Sequence, residues 1–390
     1  MKPLARALAD TLANLPSEWP DDPLPAIRAA PSSSGEMLVV LDDDPTGTQT
    51  VHGIAVLTEW PIEALRAELT SDRRALYLLT NSRSMPLAQA QLLNAEIGRA
   101  IRTAAQPGMR RPVVISRSDS TLRGHFPGEV EALADALGGG FDATLLIPAF
   151  IAGGRYTIDD IHYVADGDRL IPAGETDFAR DATFGYSASN LREWVEEKTS
   201  GRVAATSVGS ITIETIRRAG PNGVAAQLAE LRSSVCVVNA ASERDLAVVA
   251  LGILQAEARG KRFLYRTAAS IVPLRAGISP RPLLARADLD LPAATGGLII
   301  VGSYVSKTSG QVARLLEQPD VASVEVHVEA LLEEAGCDNE IGRVAEATDR
   351  RLCDGQDVVI FTSRRLVTGA DSERSLAIGR KVSDGLIRIV

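Results

Sequence analysis

Cysteine, lysine, aromatic side chains and long apolar runs are all scarce in this sequence. The three cysteines, Cys236, Cys337 and Cys353, stand far apart in 390 residues. They form neither a CxxC pair nor a disulfide framework, which argues against a secreted scaffold or a common zinc site and for a reducing cytoplasm. No apolar run approaches the roughly 18 residues of a membrane span, so no membrane partner is expected. Residues 1–30 carry Asp10, Glu18, Asp21 and Asp22 and lack the apolar core of a secretory signal. Positive charge is also short: the formal net charge is −9 and no basic patch stands out, which argues against nucleic acid as a partner. Five of the 41 basic residues are lysine and the other 36 arginine, the side chain best matched to carboxylates and phosphates.

What is present is ordinary globular material, 45 % hydrophobic and 23 % charged. At roughly 150 residues per domain the length predicts two or three domains. Residues 1–35 read as an N-terminal extension, with a short helix near Leu4–Leu15 running into prolines and the Pro31–Gly35 linker. From there short apolar runs end in polar loops and alternate with helical periodicity. Strands are expected at Met37–Leu41, Gly53–Thr58, Ala75–Leu79, Pro112–Ile115, Ala143–Ile147, Val235–Val238 and Arg262–Tyr265. Helices are expected from about Ser84 to Ile101, at Gly128–Leu137 and near Ser242–Ala258. The stretch 156–235 is less regular and reads as an insertion.

Residues 277–297, rich in Pro, Ala and Gly, read as a boundary. A second unit then begins with strands at Leu298–Val301, Val321–Val328 and Val358–Phe361 and a helix near Ser309–Leu316. Asp371–Val390 reads as an amphipathic helix with Leu376, Val382, Leu386 and Ile389 on one face. The expected fold is α/β: two α/β domains with mainly parallel sheets and a cleft between them, residues 36–285 binding substrate and 296–390 binding nucleotide. About three strands make a small α/β domain, so the second is expected to be incomplete or to be completed by another chain.

The polar motifs all follow strands, where parallel sheets bind ligands. Asp42, Asp43 and Asp44 come first, beside Thr46 and Gly47. Adjacent carboxylates repel unless arginines, a cation or N–H groups compensate them, and such a cluster suits a general base and Mg²⁺ binding. Asn81, Ser82 and Arg83 end the next strand, Arg83 as a candidate carboxylate clamp. Arg117, Ser118, Asp119, Ser120, Thr121 and Arg123 offer the hydroxyls and guanidinium groups a small polyhydroxy acid requires. Gly154, Arg155 and His162 form a weaker cluster, with Gly154 and Arg155 as candidate substrate contacts because glycine lets the backbone approach a ligand closely. In the second unit Gly302, Ser303, Lys307 and Thr308 lie between a strand and a helix and offer a phosphate site, with Thr362, Ser363 and Arg364 ending another strand.

On residues alone, two enzymes compete. One is a transferase moving a phosphoryl group from a nucleotide to a small anionic polyol. The other is a phosphatase of the haloacid dehalogenase type, whose DxDxT pattern Asp42-Asp-Asp44-Pro-Thr46 matches; the lysine and acidic pair that should follow do not appear in place.

Asp43-Asp-Pro-Thr-Gly47, Thr80-Asn-Ser-Arg83, Ser118-Asp-Ser-Thr-Leu-Arg-Gly124, Pro148-Ala-Phe with Gly154-Arg155, and Val301-Gly-Ser303 together resemble the four-carbon acid sugar kinase family over about residues 37–370. The resemblance implies a sugar-acid-binding domain, a nucleotide-binding domain, ATP and Mg²⁺, and phosphorylation of the terminal hydroxyl of erythronate, threonate or 3-oxo-tetronate. It implies Asp43 as substrate contact and base; the charge of Asp44 beside it suggests a Mg²⁺ ligand or a partner of that base. It also implies Arg83 on the substrate carboxylate, Ser118, Asp119, Ser120 and Thr121 in the pocket, and Ser303 on ATP. Gly302, Thr308, Thr362 and Ser363 complete the candidate ATP residues, and a homodimer is compatible with it. The family's glycine-rich ATP loop and later Pro-Gly segment do not occur after Thr362. That departure adds a further expectation, a non-catalytic sugar-acid-binding protein.

Overall fold

In the computed structural model, which describes residues 3–30, 35–232, 234–289, 296–333 and 335–390, the strands in chain order are β1 (Arg6–Ala7), β2 (Glu36–Asp42), β3 (Ala55–Leu57), β4 (Ala75–Leu79), β5 (Arg111–Arg117), β6 (Ala143–Ile147), β7 (Arg155–Ile158), β8 (Ile161–Asp166), β9 (Arg169–Pro172), β10 (Gly209–Ile211), β11 (Val235–Val238), β12 (Phe263–Thr267), β13 (Leu298–Val301), β14 (Val321–Val326) and β15 (Asp357–Thr362). The expected linker residues Pro31–Ser34, and residues 290–295 of the expected boundary, lie outside the described residues. The chain divides into two compact units, Met1–Arg281 and Pro282–Val390.

The continuous apolar run of β2 explains the first unit. Leu38 and Val40 enter one core with Tyr77, Ile115 and Val249. Met37, Val39 and Leu41 enter another with Leu76, Leu78, Ile97 and Leu133. A strand buried on both faces belongs inside a covered parallel sheet. The sheet has eight strands in the order β10-β11-β6-β12-β5-β2-β4-β3, all paired in parallel. Helices Leu87–Ala104, Gly128–Ala136 and Glu243–Ala258 cover it. The first starts directly after Pro86 and buries Ala90, Ile97 and Ile101 along one stripe.

Two expectations change. The N-terminal stretch is not a free appendage: Ile27 is fully buried in the main core, and β1 pairs with β9. The irregular stretch 156–235 contributes β10 to the edge of the main sheet and forms most of an antiparallel sheet, β1-β9-β8-β7. Its strands are short and turn sharply at Asp159 and Asp160, both at positive φ, so no long periodic signal exists to read.

The second unit has a parallel sheet in the order β13-β15-β14. Val324, Val326, Ile341, Val344, Val358, Ile360 and Ile389 form its core. Asp371 caps the last helix, Ser372–Ile389, by accepting from the Arg374 N–H at 2.8 Å, and Leu386 packs on the core beside Ile389. Among the described residues no helix is long and apolar enough to cross a membrane.

Candidate active site

Register brings the motifs of the first unit together. Asp42 of β2 stands opposite Leu79 of β4 and Arg117 of β5, Arg117 opposite Thr267 of β12, and Thr267 opposite Ile147 of β6. The C-terminal ends of these strands therefore form one line, and the loop after each begins at the same edge.

Asp42 is 2 % exposed and accepts from Arg117 Nη1 at 3.0 Å. Burial pushes its carboxyl up to about 6 against the pull of Arg117. The loop turns back so closely that a Cβ on Gly47 would stand 1.8 Å from Asp42 Oδ2; only glycine leaves room for its backbone N–H to serve that carboxylate. Asp44 accepts from the Thr46 N–H at 2.7 Å and the Thr46 hydroxyl at 2.5 Å, and pairs with Arg83 and with Arg117 at 3.3 Å.

Asp43 differs from both neighbours. Its side chain is buried, and neither carboxylate oxygen has a hydrogen-bond partner. Arg83 and Arg117 stand at 3.7 and 3.8 Å, beyond hydrogen-bond reach. Burial pushes its carboxyl up to about 7; Arg83 opposes this, and the nearby charge of Glu129 adds to it. A carboxylate poised at neutrality with free lone pairs is suited to take a proton.

Arg83 follows Asn81, which takes the left-handed conformation at φ 51° that asparagine tolerates well. Its N–H donates to the Asp43 carbonyl at 3.2 Å, and its guanidinium reaches Asp44 and, at 3.2 Å, Asp119. Ser82 turns inward and donates to Glu129 at 3.0 Å. In the loop after β5, Ser118 is fully buried with its hydroxyl unpartnered, and Thr121 donates to Asp119. Arg123 forks onto Asp119 through Nε at 2.7 Å and Nη2 at 3.2 Å. Burial would raise Asp119, but Arg123 and Arg83 outweigh it and hold the carboxyl well below the usual carboxylate range.

His162 has a structural part. Its Nε2 faces the Ser120 carbonyl at 2.7 Å and so carries the proton, while Nδ1 accepts from the Thr157 hydroxyl at 3.0 Å. Burial pushes it down to about 4, so it is a neutral strut between β7, β8 and the Ser120 loop. Gly154 and Arg155 open β7, with Arg155 Nη1 donating to the Gly153 carbonyl.

Sequence reasoning missed Arg266, Glu129 and Phe178. Arg266 is fully buried in β12 and donates to the carbonyls of Asp119 at 3.2 Å and Arg123 at 2.9 Å, holding the Ser118–Gly124 loop from below. One signal was present: an arginine inside the apolar run Phe263-Leu-Tyr-Arg-Thr267. Asp42, Asp43 and Asp44 offer oxygens that all lie within 4.8 Å of one another, hard ligands of the kind suited to Mg²⁺.

In the second unit Arg364 gathers the expected nucleotide residues. Its Nη1 donates to the Ser303 carbonyl at 2.6 Å and its Nη2 to the Thr362 hydroxyl at 2.8 Å, while that hydroxyl donates to the Gly302 carbonyl at 3.1 Å. The Ser363 hydroxyl accepts from the Val328 N–H at 3.3 Å. Lys307 and Thr308 lie in the first turn of helix Ser306–Leu316, just after β13.

The fold defines an α/β protein of two units, each built on a parallel sheet whose strands end in polar loops. A family model described as a sugar-binding N-terminal domain matches residues 38–274, and one described as a nucleotide-binding C-terminal domain matches residues 298–390. The chain belongs to the four-carbon acid sugar kinase family. It is similar to a D-threonate kinase of Salmonella typhimurium, 26 % identical over 335 residues that cover 85 % of this chain and 72 % of that one. It is likewise similar to a D-erythronate kinase of Heliobacterium modesticaldum, 26 % identical over 342 residues covering 83 % and 70 %. A crystal structure of a Haemophilus influenzae protein shares the fold at a TM-score of 0.50 and 18 % identity, over 90 % of this chain and 81 % of that one. Family membership removes the phosphatase alternative, and the geometry agrees: Asp42, its required nucleophile, is buried against Arg117.

Proposed function

We propose that this chain phosphorylates the terminal hydroxyl of a four-carbon sugar acid with ATP, Asp43 acting as the general base. The observation that carries this reading is the buried, unpartnered Asp43 carboxylate held near neutrality. The acceptor hydroxyl gives its proton to Asp43 as its oxygen bonds to the γ-phosphorus, and the bond from that phosphorus to ADP breaks. Arg83 and Arg117 lie beside Asp43 and offset the charge of the three adjacent aspartates. Ser118, Ser120 and Thr121 orient the polyol, so that binding energy fixes the reacting hydroxyl in line. Bound Mg²⁺ would neutralise phosphate charge, with Asp44 the residue of the cluster placed to hold it.

The second unit takes the nucleotide. Gly302, Ser303, Thr362 and Ser363, gathered at the ends of β13 and β15, would meet ATP, and Thr308 in the following helical turn would meet its phosphates. The test is ADP release from the purified chain with ATP, Mg²⁺ and D-threonate, D-erythronate or 3-oxo-tetronate in turn. Acid-dependent release with one of them is expected; release that is the same with and without every acid would refute the kinase reading.

A further inference from the structure

We propose that Arg155, backed by the ring of Phe178, takes the carboxylate of the substrate, a role that Arg83 is too fully engaged to fill; the proposal rests on the kinase reading above. Arg83 already faces Asp43, Asp44 and Asp119. Arg117 faces Asp42, Asp43 and Asp44. Arg123 is forked onto Asp119, and Arg266 spends both Nη groups on loop carbonyls. Arg117 and Arg266 also keep a buried, unpartnered Nε, but to receive an anion Arg117 would have to give up an aspartate, and Arg266, fully buried, would have to leave the core.

Arg155 would not. Its Nη1 donates to the Gly153 carbonyl. Its Nε is buried and unpartnered, and among the described residues no carboxylate lies within ion-pair distance of it. Nε and Nη2 together form the edge of a guanidinium that receives a carboxylate in two parallel hydrogen bonds. Leaving such a donor dry and unpaired is costly, and an arriving anion removes the cost.

The carboxylates around Arg155 are engaged by other arginines. The guanidinium carbons of Arg123 and Arg155 lie 5.1 and 5.7 Å from the centroid of the Phe178 ring. Two cations thus flank one ring; Asp119 is already shared by Arg83 and Arg123, and Asp181 stands 3.8 Å from Arg123 Nη1. Burial lowers the Arg155 pKa, with Asp119 opposing, as expected of a cation short of its partner. Phe178 and Asp181 come from the stretch 156–235, which thereby becomes a wall of the substrate site. The terminal hydroxyl and the carboxylate stand at opposite ends of a four-carbon acid, so an anion anchored at Arg155 fixes which end reaches Asp43.

The test compares wild-type, Arg155→Gln and Arg155→Lys full-length chains by calorimetric binding of D-threonate, D-erythronate and 3-oxo-tetronate. The uncharged threitol and erythritol serve as controls, and KM for ATP is measured in parallel. Arg155→Gln should weaken the preferred acid roughly ten- to hundredfold, the worth of a hydrogen bond to a charged group. Arg155→Lys should recover part of that loss, while the weak binding of the tetritols and the KM for ATP stay within about twofold of wild type. Unchanged acid affinity in Arg155→Gln overturns the proposal, as does an equal loss for acids and tetritols or a rise confined to KM for ATP. A wild-type chain that binds none of the acids overturns the kinase reading itself, a result separate from the others.

Discussion

Replacing Asp43 with asparagine should make the protein more stable and far less active. The stability effect follows from its burial. The carboxyl is displaced from 3.8 to about 7, roughly 4 kcal/mol of preference for the protonated form in the folded state. Below about pH 4 both folded and unfolded chains carry that proton, and the variant gains nothing. As pH rises from there to about 7, the unfolded chain releases the proton while the folded chain keeps it, so wild-type stability falls with pH. Above about 7 the folded carboxylate is ionised, dry and unpartnered, and the full penalty applies. Asparagine does not titrate, but its amide also lacks a partner there, which returns about 1–3 kcal/mol of the gain. The net expectation at pH 8 is about 1–3 kcal/mol, a few degrees of melting temperature in a unit of this size. Loss of the base should lower turnover about 10²- to 10⁴-fold. Thermal melts at pH 4, 6 and 8 and steady-state assays at pH 8 test both halves. A variant less stable than wild type at pH 8, or one with wild-type turnover, would refute the reasoning.

Arg83→Ala removes the compensating charge from Asp43, Asp44 and Asp119 together, so kcat should fall by at least tenfold and the melting temperature should drop at pH 8, measured in the same assays. Gly47→Ala places a methyl against the pinned carboxylate of Asp42 and should cost at least tenfold in kcat/KM, with circular dichroism showing a folded chain. His162→Ala should destabilise by about 2–3 kcal/mol in urea titrations, through the unpaired Ser120 carbonyl, yet leave the apparent pKa of the pH–rate profile where it is.

Much of the central sheet is legible in the sequence because its strands are short apolar runs ending in polar loops. Ala75–Leu79, Ala143–Ile147, Val235–Val238 and Leu298–Val301 fall where the pattern puts them. The site's anionic half is legible for the same reason: three aspartates cannot end a buried strand without compensation, and Arg83 and Arg117 supply it. Register is not legible. Nothing local says that Arg117 stands opposite Asp42, or that Arg266, two strands away from Asp42 in the sheet, holds the loop after Arg117. Local pattern also cannot separate the three aspartates. Asp42 and Asp44 differ from Asp43 only in what folds around them, an arginine and Gly47 for one and Thr46 for the other. The stretch 156–235 stays opaque for a different reason. Its contribution is Phe178 and Asp181 in a short irregular segment and a small antiparallel ribbon, neither of which leaves a periodic trace.

The pH dependence of kcat/KM for the preferred four-carbon acid tests the assignment of Asp43 most directly. If Asp43 takes the proton, kcat/KM rises about tenfold per pH unit at low pH, bends near 7 and is level above it, and the bend is lost in Asp43→Asn. A profile flat from pH 5.5 to about 8.5, or a bend that survives in Asp43→Asn, would contradict it.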